Sequence, residues 1–396
     1  MTSSRNPSEG PDKPPSAARA RSASGQKALD ARERLLRELT GVPTAAFREH
    51  GVIDYVRKWA KRRSDVVLRK DKAGNLTLSL EGAASRQPVY FTAHMDHPAF
   101  VIEEPQKEVE VVEAAFRGGV KPDYFEGSRV RLRPGRADEV QGEVASHQPA
   151  NEARPDARAR VRFAEPVTVK TGDILTWALP GPAVRDRRLY APACDDLAGV
   201  AAALGAFDAL RTRDPAPDIR VLLTRAEEVG FIGAMAAARS RTLPKSARLI
   251  CLECSKSFDD SPIHAGPIVR VGDRSATFDP DLTYRLSRIA ERLAAESDSF
   301  RFQRKLMPGG TCEASAFTAF GYAAACLCLP LGNYHNMGDV GGAVPPGIEP
   351  EVIGVDDFHA LVRLLVASAD GLLGAERTPG LRRRLETLYR SRAADL

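Results

Sequence analysis

The strongest constraint on the fold is a long β-rich stretch that interrupts an alternating pattern of strands and helices. Between about residues 105 and 182, short strand-like runs are separated by Gly and Pro, and no convincing long helix occurs. On both sides of this stretch, apolar strand-like runs alternate with segments of helical periodicity. The pattern predicts an α/β fold with a mixed central sheet, helices on both faces and a small inserted β-domain.

The same pattern divides the chain into segments. Residues 1–27 are rich in Ser, Pro, Arg, Ala and Gly and have almost no large apolar side chains, so we expect a disordered tail. Residues 28–104 and 186–396 are predicted to form one discontinuous α/β domain, and residues 105–185 the inserted β-domain. A chain of 396 residues can bury the core that such a division requires.

Composition argues against several kinds of partner. The formal net charge of +5 is small, and the arginines form no continuous stripe, so we expect no nucleic-acid partner. The chain has no N-terminal signal region and no run of about 18 uncharged apolar residues, so we expect no membrane association. Most of the six cysteines lie in apolar runs, which favours a reducing, cytoplasmic location. They are Cys194, Cys251, Cys254, Cys312, Cys326 and Cys328.

Five acidic or imidazole residues share one local setting, because each lies at or just after the end of an apolar strand-like run. They are His94, Asp195, Glu228, Glu253 and His335. Ligands gather at the carboxyl ends of strands in open α/β sheets, so we expect all five at one edge of one sheet. Two imidazoles and several carboxylates suit two zinc-like ions about 3.5–4 Å apart with a bridging carboxylate.

Each residue also has an ordinary explanation. A single His after a strand is usually a packed or surface side chain, and Asp195-Asp196 before a helix could be an N-cap. Glu227-Glu228 could be the acidic opening of a helix. Five residues of metal-binding type in one chain, each at or just after the end of a strand-like run, favour a metal site.

These residues carry a family resemblance. Four motifs resemble the metal motifs of the tetrahedral cocatalytic zinc aminopeptidases, the glutamyl and leucyl aminopeptidases formerly labelled endoglucanase-like, within the wider clan of zinc-dependent exopeptidases. The motifs are His94-Met95-Asp96, Cys194-Asp195-Asp196-Leu197-Ala198-Gly199, Glu227-Glu228-Val229-Gly230 and Tyr334-His335. The resemblance spans about residues 30–375. The long interval between His94 and Asp195 is also similar, because in that family it houses an inserted β-domain.

The resemblance implies a role for each site residue. Asp195 would bridge two divalent ions, with His94 and Glu253 completing one site, and Glu228 and His335 the other. The ions would be zinc, with cobalt and manganese as alternatives.

Two further residues receive roles from the same resemblance. Glu227 would act as the general base, and Asp96 would hydrogen-bond the His94 imidazole. The Asp195–Asp196 peptide bond would be cis.

Three features depart from the family pattern. Glu253 stands where the family commonly has Asp, and His97 replaces an acidic residue. The Gly309-Gly310-Thr311-Cys312-Glu313 segment differs from the family's Gly-Thr-Asp-Ala loop. We expect these changes to alter the metal cage and the substrate pocket.

The predicted function is hydrolysis of the N-terminal residue of peptides by a homo-oligomer, a dimer or larger. The inserted β-domain is expected to mediate association, because short strands leave edges that need cover and because the resembled family dimerises through this domain. Two alternatives are another metal-dependent amidohydrolase or carboxypeptidase, and an inactive metal-binding scaffold.

A third alternative concerns the cysteines. Cys251 and Cys254 could join Cys326 and Cys328 in a four-thiolate zinc site, although buried thiols are the simpler interpretation.

Overall fold

The first half of the chain contains two helices, three strands and then a run of β-structure without an α-helix. A computed structural model describes residues 17–132, 139–240, 242–338, 347–373 and 381–396. The elements that precede Asp195 are α1 (Ala17–Thr40), α2 (His50–Lys61), β1 (Val66–Lys70), β2 (Leu76–Leu80), β3 (Val89–His94), β4 (Ala99–Val101), β5 (Gln106–Arg117), β6 (Arg129–Leu132), β7 (Val140–Gln148), β8 (Ala157–Val169), β9 (Ile174–Trp177), β10 (Ala183–Arg185) and β11 (Arg188–Ala191).

The second half largely alternates strands and helices, as the apolar periodicity predicts. Its elements are α3 (Leu197–Arg211), β12 (Ile219–Thr224), α4 (Ile232–Arg239), β13 (Arg248–Lys256), β14 (Ile268–Gly272), α5 (Pro280–Glu296), β15 (Gln303–Leu306), α6 (Glu313–Ala319), β16 (Ala323–Leu331), β17 (Met337–Gly338), β18 (Gly347–Ile348), β19 (Glu351–Gly354), α7 (Val355–Leu373) and α8 (Leu381–Arg392).

The central sheet has eight strands in the order β1-β2-β12-β3-β13-β16-β14-β15. Its middle four strands, β12, β3, β13 and β16, are parallel, and antiparallel pairs flank them. Alternate residues of β13 pack to opposite sides, with Ile250 in the core that includes α3, α5 and α7, and Cys251 in the core that includes α4 and α6. The predicted mixed sheet with helices on both faces is confirmed.

Helix α3 is largely buried and fixes the position of the acidic pair before it. Its sequence, LAGVAAALGAFDALR, is apolar on nearly every side, and most of its residues are buried. A helix that is apolar all round must be covered on all sides. Here the sheet covers one side, and α1 and α7 pack against the helix. The N-terminus of α3 is therefore held rigidly inside the molecule.

The β-rich segment forms a closed barrel in the order β4-β5-β8-β7-β6-β9. Phe100, Phe116, Phe125 and Trp177 pack edge to face or tilted against one another in its core. The first barrel strand, Ala99–Val101, lies before the predicted boundary at residue 105. The strand is so short that the apolar pattern does not separate it from β3. A closed barrel has no open strand edges, so the expectation that uncovered edges drive association is wrong. The division of the chain into domains stays a prediction.

The N-terminal helix begins earlier than its apolar periodicity indicates. Helix α1 starts at Ala17, inside the predicted disordered tail of residues 1–27, because the Ala- and Arg-rich sequence has high helix propensity without large apolar side chains. Residues 1–16 of the predicted disordered tail lie outside the described residues. Among the residues that the structure describes, no helix is both long and apolar enough to cross a membrane.

Candidate metal centre

Four of the five predicted ligands come from the parallel centre of the sheet. His94 is the last residue of β3, Glu228 follows β12, and His335 follows β16. Glu253 lies within β13, which continues to Lys256. Because the carboxyl ends of parallel strands meet at one edge, these residues converge although they are far apart in sequence.

Asp195 reaches the same place from a different sheet, so the prediction of one common sheet is wrong for this residue. It follows β11, which pairs with β10 and β19 in a separate three-stranded sheet. The Asp195–Asp196 peptide bond is cis. Asp196 is the N-cap of α3 and accepts a hydrogen bond from the Gly199 amide at 3.2 Å. The N-cap interpretation therefore holds for Asp196, while Asp195 faces the ligand cluster.

The five side chains form two groups that share Asp195. In the first group, His94 Nε2 lies 3.4 Å from Asp195 Oδ1 and 3.7 Å from Glu253 Oε1. In the second, His335 Nε2 lies 3.7 Å from Asp195 Oδ2 and 3.4 Å from Glu228 Oε2. The ligand atoms of each group lie within 4.8 Å of one another. One oxygen of Asp195 thus faces each group, as a carboxylate that bridges two ions would.

The hydrogen bonding and charge of this cluster fit divalent cations. The buried atoms Asp195 Oδ1 and Glu228 Oε1 have no hydrogen-bond partner among the described residues, although buried oxygens normally have one. Burial, reinforced by neighbouring carboxylates, raises the pKa of Asp195 and of Glu228 well above the ordinary range. Two divalent cations would balance the four carboxylates Asp195, Glu227, Glu228 and Glu253 and give the unpaired oxygens a partner.

Both imidazoles are oriented by backbone carbonyls. His94 Nδ1 lies 3.2 Å from the carbonyl oxygen of Asp96, and His335 Nδ1 lies 2.6 Å from that of Gly119. If each Nδ1 donates its proton to the carbonyl, Nε2 faces the carboxylates with a free lone pair. Burial lowers the pKa of His335 to about 3, which favours the neutral ring. Gly119 lies between β5 and β6, so the barrel segment reaches the ligand cluster, which the sequence did not reveal.

Asp96 lies beside His94 and also anchors the loop after β12 that carries Glu227 and Glu228. Its carboxylate accepts hydrogen bonds from the amides of Glu227 and Glu228 at 3.0 and 3.1 Å. The Asp96 carboxylate oxygen Oδ1 lies 3.6 Å from His94 Nδ1, whereas the Asp96 carbonyl oxygen lies 3.2 Å from the same nitrogen. Burial alone would raise the pKa of Asp96, but His94 and the two amides outweigh burial and lower it. The ionised carboxylate therefore fixes the loop that carries both glutamates.

Glu227, the predicted general base, lies at the wall of a pocket beside the cluster. Its carboxylate lies within 4.8 Å of the potential ligand atoms of His94 and Glu228, and the residue is 9% exposed. Burial raises its pKa well above the ordinary value, and the negative charges of Glu253 and Glu228 reinforce this against the opposing effect of His94. A carboxyl group with a raised pKa both takes and releases a proton more readily near neutral pH.

His97, which replaces an acidic residue of the family pattern, does not belong to either ligand group. Its Nδ1 is 2.6 Å from the carbonyl oxygen of Asp195, and its Nε2 is 3.0 Å from Asn336 Oδ1. His97 therefore links the segment after β11, which carries Asp195, to the segment after β16, which carries Asn336.

The four-thiolate alternative receives no support. Cys251 and Cys254 are three residues apart on β13, so they face opposite sides of the sheet and belong to different cores. All six cysteines are buried and free. Within the described ranges, no group of potential metal ligands combines these thiols with Cys326 and Cys328.

A pocket of about 240 Å³ opens beside Glu227, Glu228 and Glu253. The altered glycine-rich segment forms part of its wall through Gly309, Gly310 and Thr311, whereas Glu313 is buried. Further lining residues are Ser255, Lys256, Phe258, Arg270, Met307, Pro308 and Tyr334. The pocket offers both apolar and charged surface next to the candidate metal centre.

Two buried carboxylates that support the site were not selected from the sequence. Glu49 Oε1 accepts a hydrogen bond from the Ala226 amide at 3.0 Å, and Glu351 contacts the backbone of Asp195 and of His335. Neither belongs to a motif with a recognisable spacing. The one available signal is an acidic residue placed next to an apolar run, which is too common to single out a site residue.

The sheet, the shared ligand groups and the adjoining pocket together suit a metal-dependent enzyme. A sequence profile of the M42 glutamyl aminopeptidase family matches residues 74–341, which is well over half of the chain. The chain belongs to this family, and is thus a metal-dependent aminopeptidase that hydrolyses peptide bonds. The family predicted from the motifs is confirmed. A search of curated protein sequences finds no significant match.

Solved structures of aminopeptidases share this fold. A TET aminopeptidase from a marine-sediment Thaumarchaeota archaeon is 20% identical, with a TM-score of 0.70, over 88% of this chain and 98% of that one. An aminopeptidase from Desulfurococcus kamchatkensis is 20% identical, with a TM-score of 0.68, over 88% and 99% of the two chains. The TET1 peptidase of Pyrococcus horikoshii is 22% identical, with a TM-score of 0.65, over 85% and 99%.

Proposed function

We propose that this aminopeptidase uses two divalent cations bridged by Asp195 to remove the N-terminal residue of peptides. The observation that carries the proposal is the pair of ligand groups in which each oxygen of Asp195 faces a different imidazole. His94 and Glu253 would complete one site, and Glu228 and His335 the other. The set of two imidazoles and carboxylates suits zinc, with cobalt and manganese as alternatives.

The cations, when bound, would polarise the scissile carbonyl and acidify the attacking water. Glu227 would accept the proton of that water and transfer it to the leaving amine, for which its raised pKa is suited. Asp96 would keep Glu227 and Glu228 in position through their amides. The pocket beside Glu253 would receive the N-terminal side chain, and the carboxylates at its edge would attract the α-amine.

Removal of metal tests this proposal directly. Protein treated with a chelator should lose its activity on aminoacyl-p-nitroanilides and regain it with zinc, cobalt or manganese. The ratio of bound metal to protein, measured by elemental analysis, should approach two at full activity. Full activity in protein verified to be metal-free would contradict the mechanism, and two bound ions without turnover on any substrate would favour an inactive scaffold.

We further propose that the protein is a cytoplasmic homo-oligomer. The TET1 peptidase of Pyrococcus horikoshii can assemble into a tetrahedron or a large octahedral shell, and the fold similarity extends over most of both chains. The inserted segment, about residues 105–185, is proposed as the part that mediates dimerisation. Peptides are the proposed substrates, and nucleic acids and membranes are not expected as partners.

A further inference from the structure

We infer that Glu351 is a positioning residue that holds the bridging ligand Asp195 and the ligand His335 in a fixed relation. The inference rests on the proposed metal centre, in which these two residues take part. Glu351 is completely buried. Its Oε2 accepts hydrogen bonds from the amides of Cys194 and Asp195 at 2.7 and 2.9 Å, and its Oε1 accepts one from the amide of His335 at 2.8 Å.

The strand that carries Glu351 lies where the two ligand segments meet. In β19, Glu351 pairs with Ala191 of β11, the strand that leads to Asp195. The next residue, Val352, exchanges two backbone hydrogen bonds with Gly332 at 2.8 and 3.0 Å, just before the turn that carries His335. One strand therefore adjoins both segments, and one carboxylate completes the connection between them.

The three hydrogen bonds need two acceptor oxygens, one facing each ligand segment. A carboxylate has two acceptor oxygens, whereas a glutamine amide has one oxygen and a donating NH₂ group. After the substitution Glu351→Gln, the NH₂ group would face at least one backbone N–H in either orientation of the amide and would leave it without an acceptor. Aspartate keeps both oxygens but is one methylene shorter, so it would not reach both segments from the same backbone position.

A matched carboxylate separates positioning of the ligands from general stabilisation. Asp357 is also buried, and it accepts hydrogen bonds from the amides of His264 and Gly266 at 2.7 and 2.8 Å. None of these contacts involves a proposed metal ligand. The Asp357→Asn substitution therefore disturbs the same kind of interaction outside the metal centre.

The test measures Co²⁺ binding by full-length, metal-free wild-type, Glu351→Gln and Asp357→Asn proteins. Titration calorimetry gives the affinities, and the visible absorption of bound Co²⁺ reports the ligand geometry. Glu351→Gln should weaken Co²⁺ binding roughly 10–100-fold, the usual effect of losing a residue that orients metal ligands, and should change the spectrum. Asp357→Asn should lower the melting temperature while keeping the wild-type affinity and spectrum. Excess Co²⁺ should restore part of the kcat of Glu351→Gln.

Several outcomes would overturn the inference. Wild-type Co²⁺ affinity and spectrum in Glu351→Gln would do so, and so would an equal loss of affinity in Asp357→Asn. If Glu351→Gln does not fold, Glu351→Asp provides the same test, with weakened binding expected and unchanged binding contradictory. A wild-type protein that binds fewer than two Co²⁺ ions would instead refute the proposed metal centre, and this inference with it.

Discussion

At the scale of single residues, neighbouring glutamates are proposed to play different roles because their surroundings differ. Glu228 Oε2 faces His335 Nε2 at 3.4 Å within a ligand group that includes Asp195. Glu227 also lines the pocket and lies near His94 and Glu228, but it has no place in the two groups that share Asp195. Asp96 holds both amides, so the substitution of either side chain leaves the loop anchored.

The substitutions Glu227→Gln and Glu228→Gln should therefore impair the enzyme in different ways. Glu227→Gln keeps the shape of the side chain but removes the base, so kcat should fall roughly 10²–10⁴-fold while both metals stay bound. Glu228→Gln should instead reduce metal occupancy. Kinetics combined with elemental analysis checks both. Near-normal turnover of fully loaded Glu227→Gln, or loss of a metal from it, would show that the two roles are assigned wrongly.

At the scale of elements, an ion-pair network ties α3 to the chain between α2 and β1. Asp208 of α3 accepts hydrogen bonds from Arg63 at 2.7 and 3.0 Å and from Arg211 at 2.6 Å. The Arg63 guanidinium also lies 3.6 Å from the centre of the Trp59 ring. Burial alone would raise the pKa of Asp208, but the two arginines outweigh burial and lower it.

This network predicts a stability difference that depends on pH. A depressed carboxylate pKa stabilises the fold above the unfolded-state value of about 4, and the contribution is lost as pH falls through the folded-state value. The Asp208 side chain is 37% exposed, so solvent screening limits the effect. Asp208→Asn should lower the free energy of unfolding by about 1 kcal/mol at pH 7.

Thermal melts of wild type and Asp208→Asn between pH 3 and 7 would measure this difference, which should shrink below about pH 4. Asp370→Asn is the control, because Asp370 pairs with Arg213 on the surface and its side chain is 61% exposed. It should leave the melting temperature almost unchanged. A destabilisation of Asp208→Asn that stays constant down to pH 3 would contradict the electrostatic explanation.

At the scale of the whole molecule, the barrel segment is part of the site as well as the proposed dimerisation element. The Gly119 carbonyl oxygen lies 2.6 Å from His335 Nδ1, so the position of the barrel affects the orientation of a proposed ligand. An assembly that restrains the barrel would therefore also restrain this imidazole.

The intact protein should sediment as a dimer or a larger particle at micromolar concentration. Replacement of the inserted segment, about residues 105–185, by a short turn should yield monomers, because the proposed contact surface is removed. This deletion should also weaken metal binding, because the Gly119 contact is lost with the segment. Sedimentation velocity measures the first effect. A monomeric intact protein would contradict the proposal, and an oligomeric deletion variant would place the interface elsewhere.

The class of fold and the candidate ligands could be predicted from the amino-acid sequence. Apolar periodicity distinguishes strands from helices locally, so the mixed sheet, the helices on its faces and the β-rich interruption could be predicted. Residue type limits which side chains can bind a metal, and their positions near strand ends indicated that they would converge. The two imidazoles and the carboxylates of the cluster were therefore all predictable.

The arrangement of these residues, and the contacts that hold them, become visible only in the folded molecule. That Asp195 arrives from a second sheet depends on the pairing of β11 with β19, which lies far along the chain. The contacts of Glu351 with Asp195 and of Gly119 with His335 likewise join residues that are far apart in the sequence. Such contacts leave no periodic signal in the sequence, because they arise from the packing of whole elements rather than from the conformational preferences of neighbouring residues.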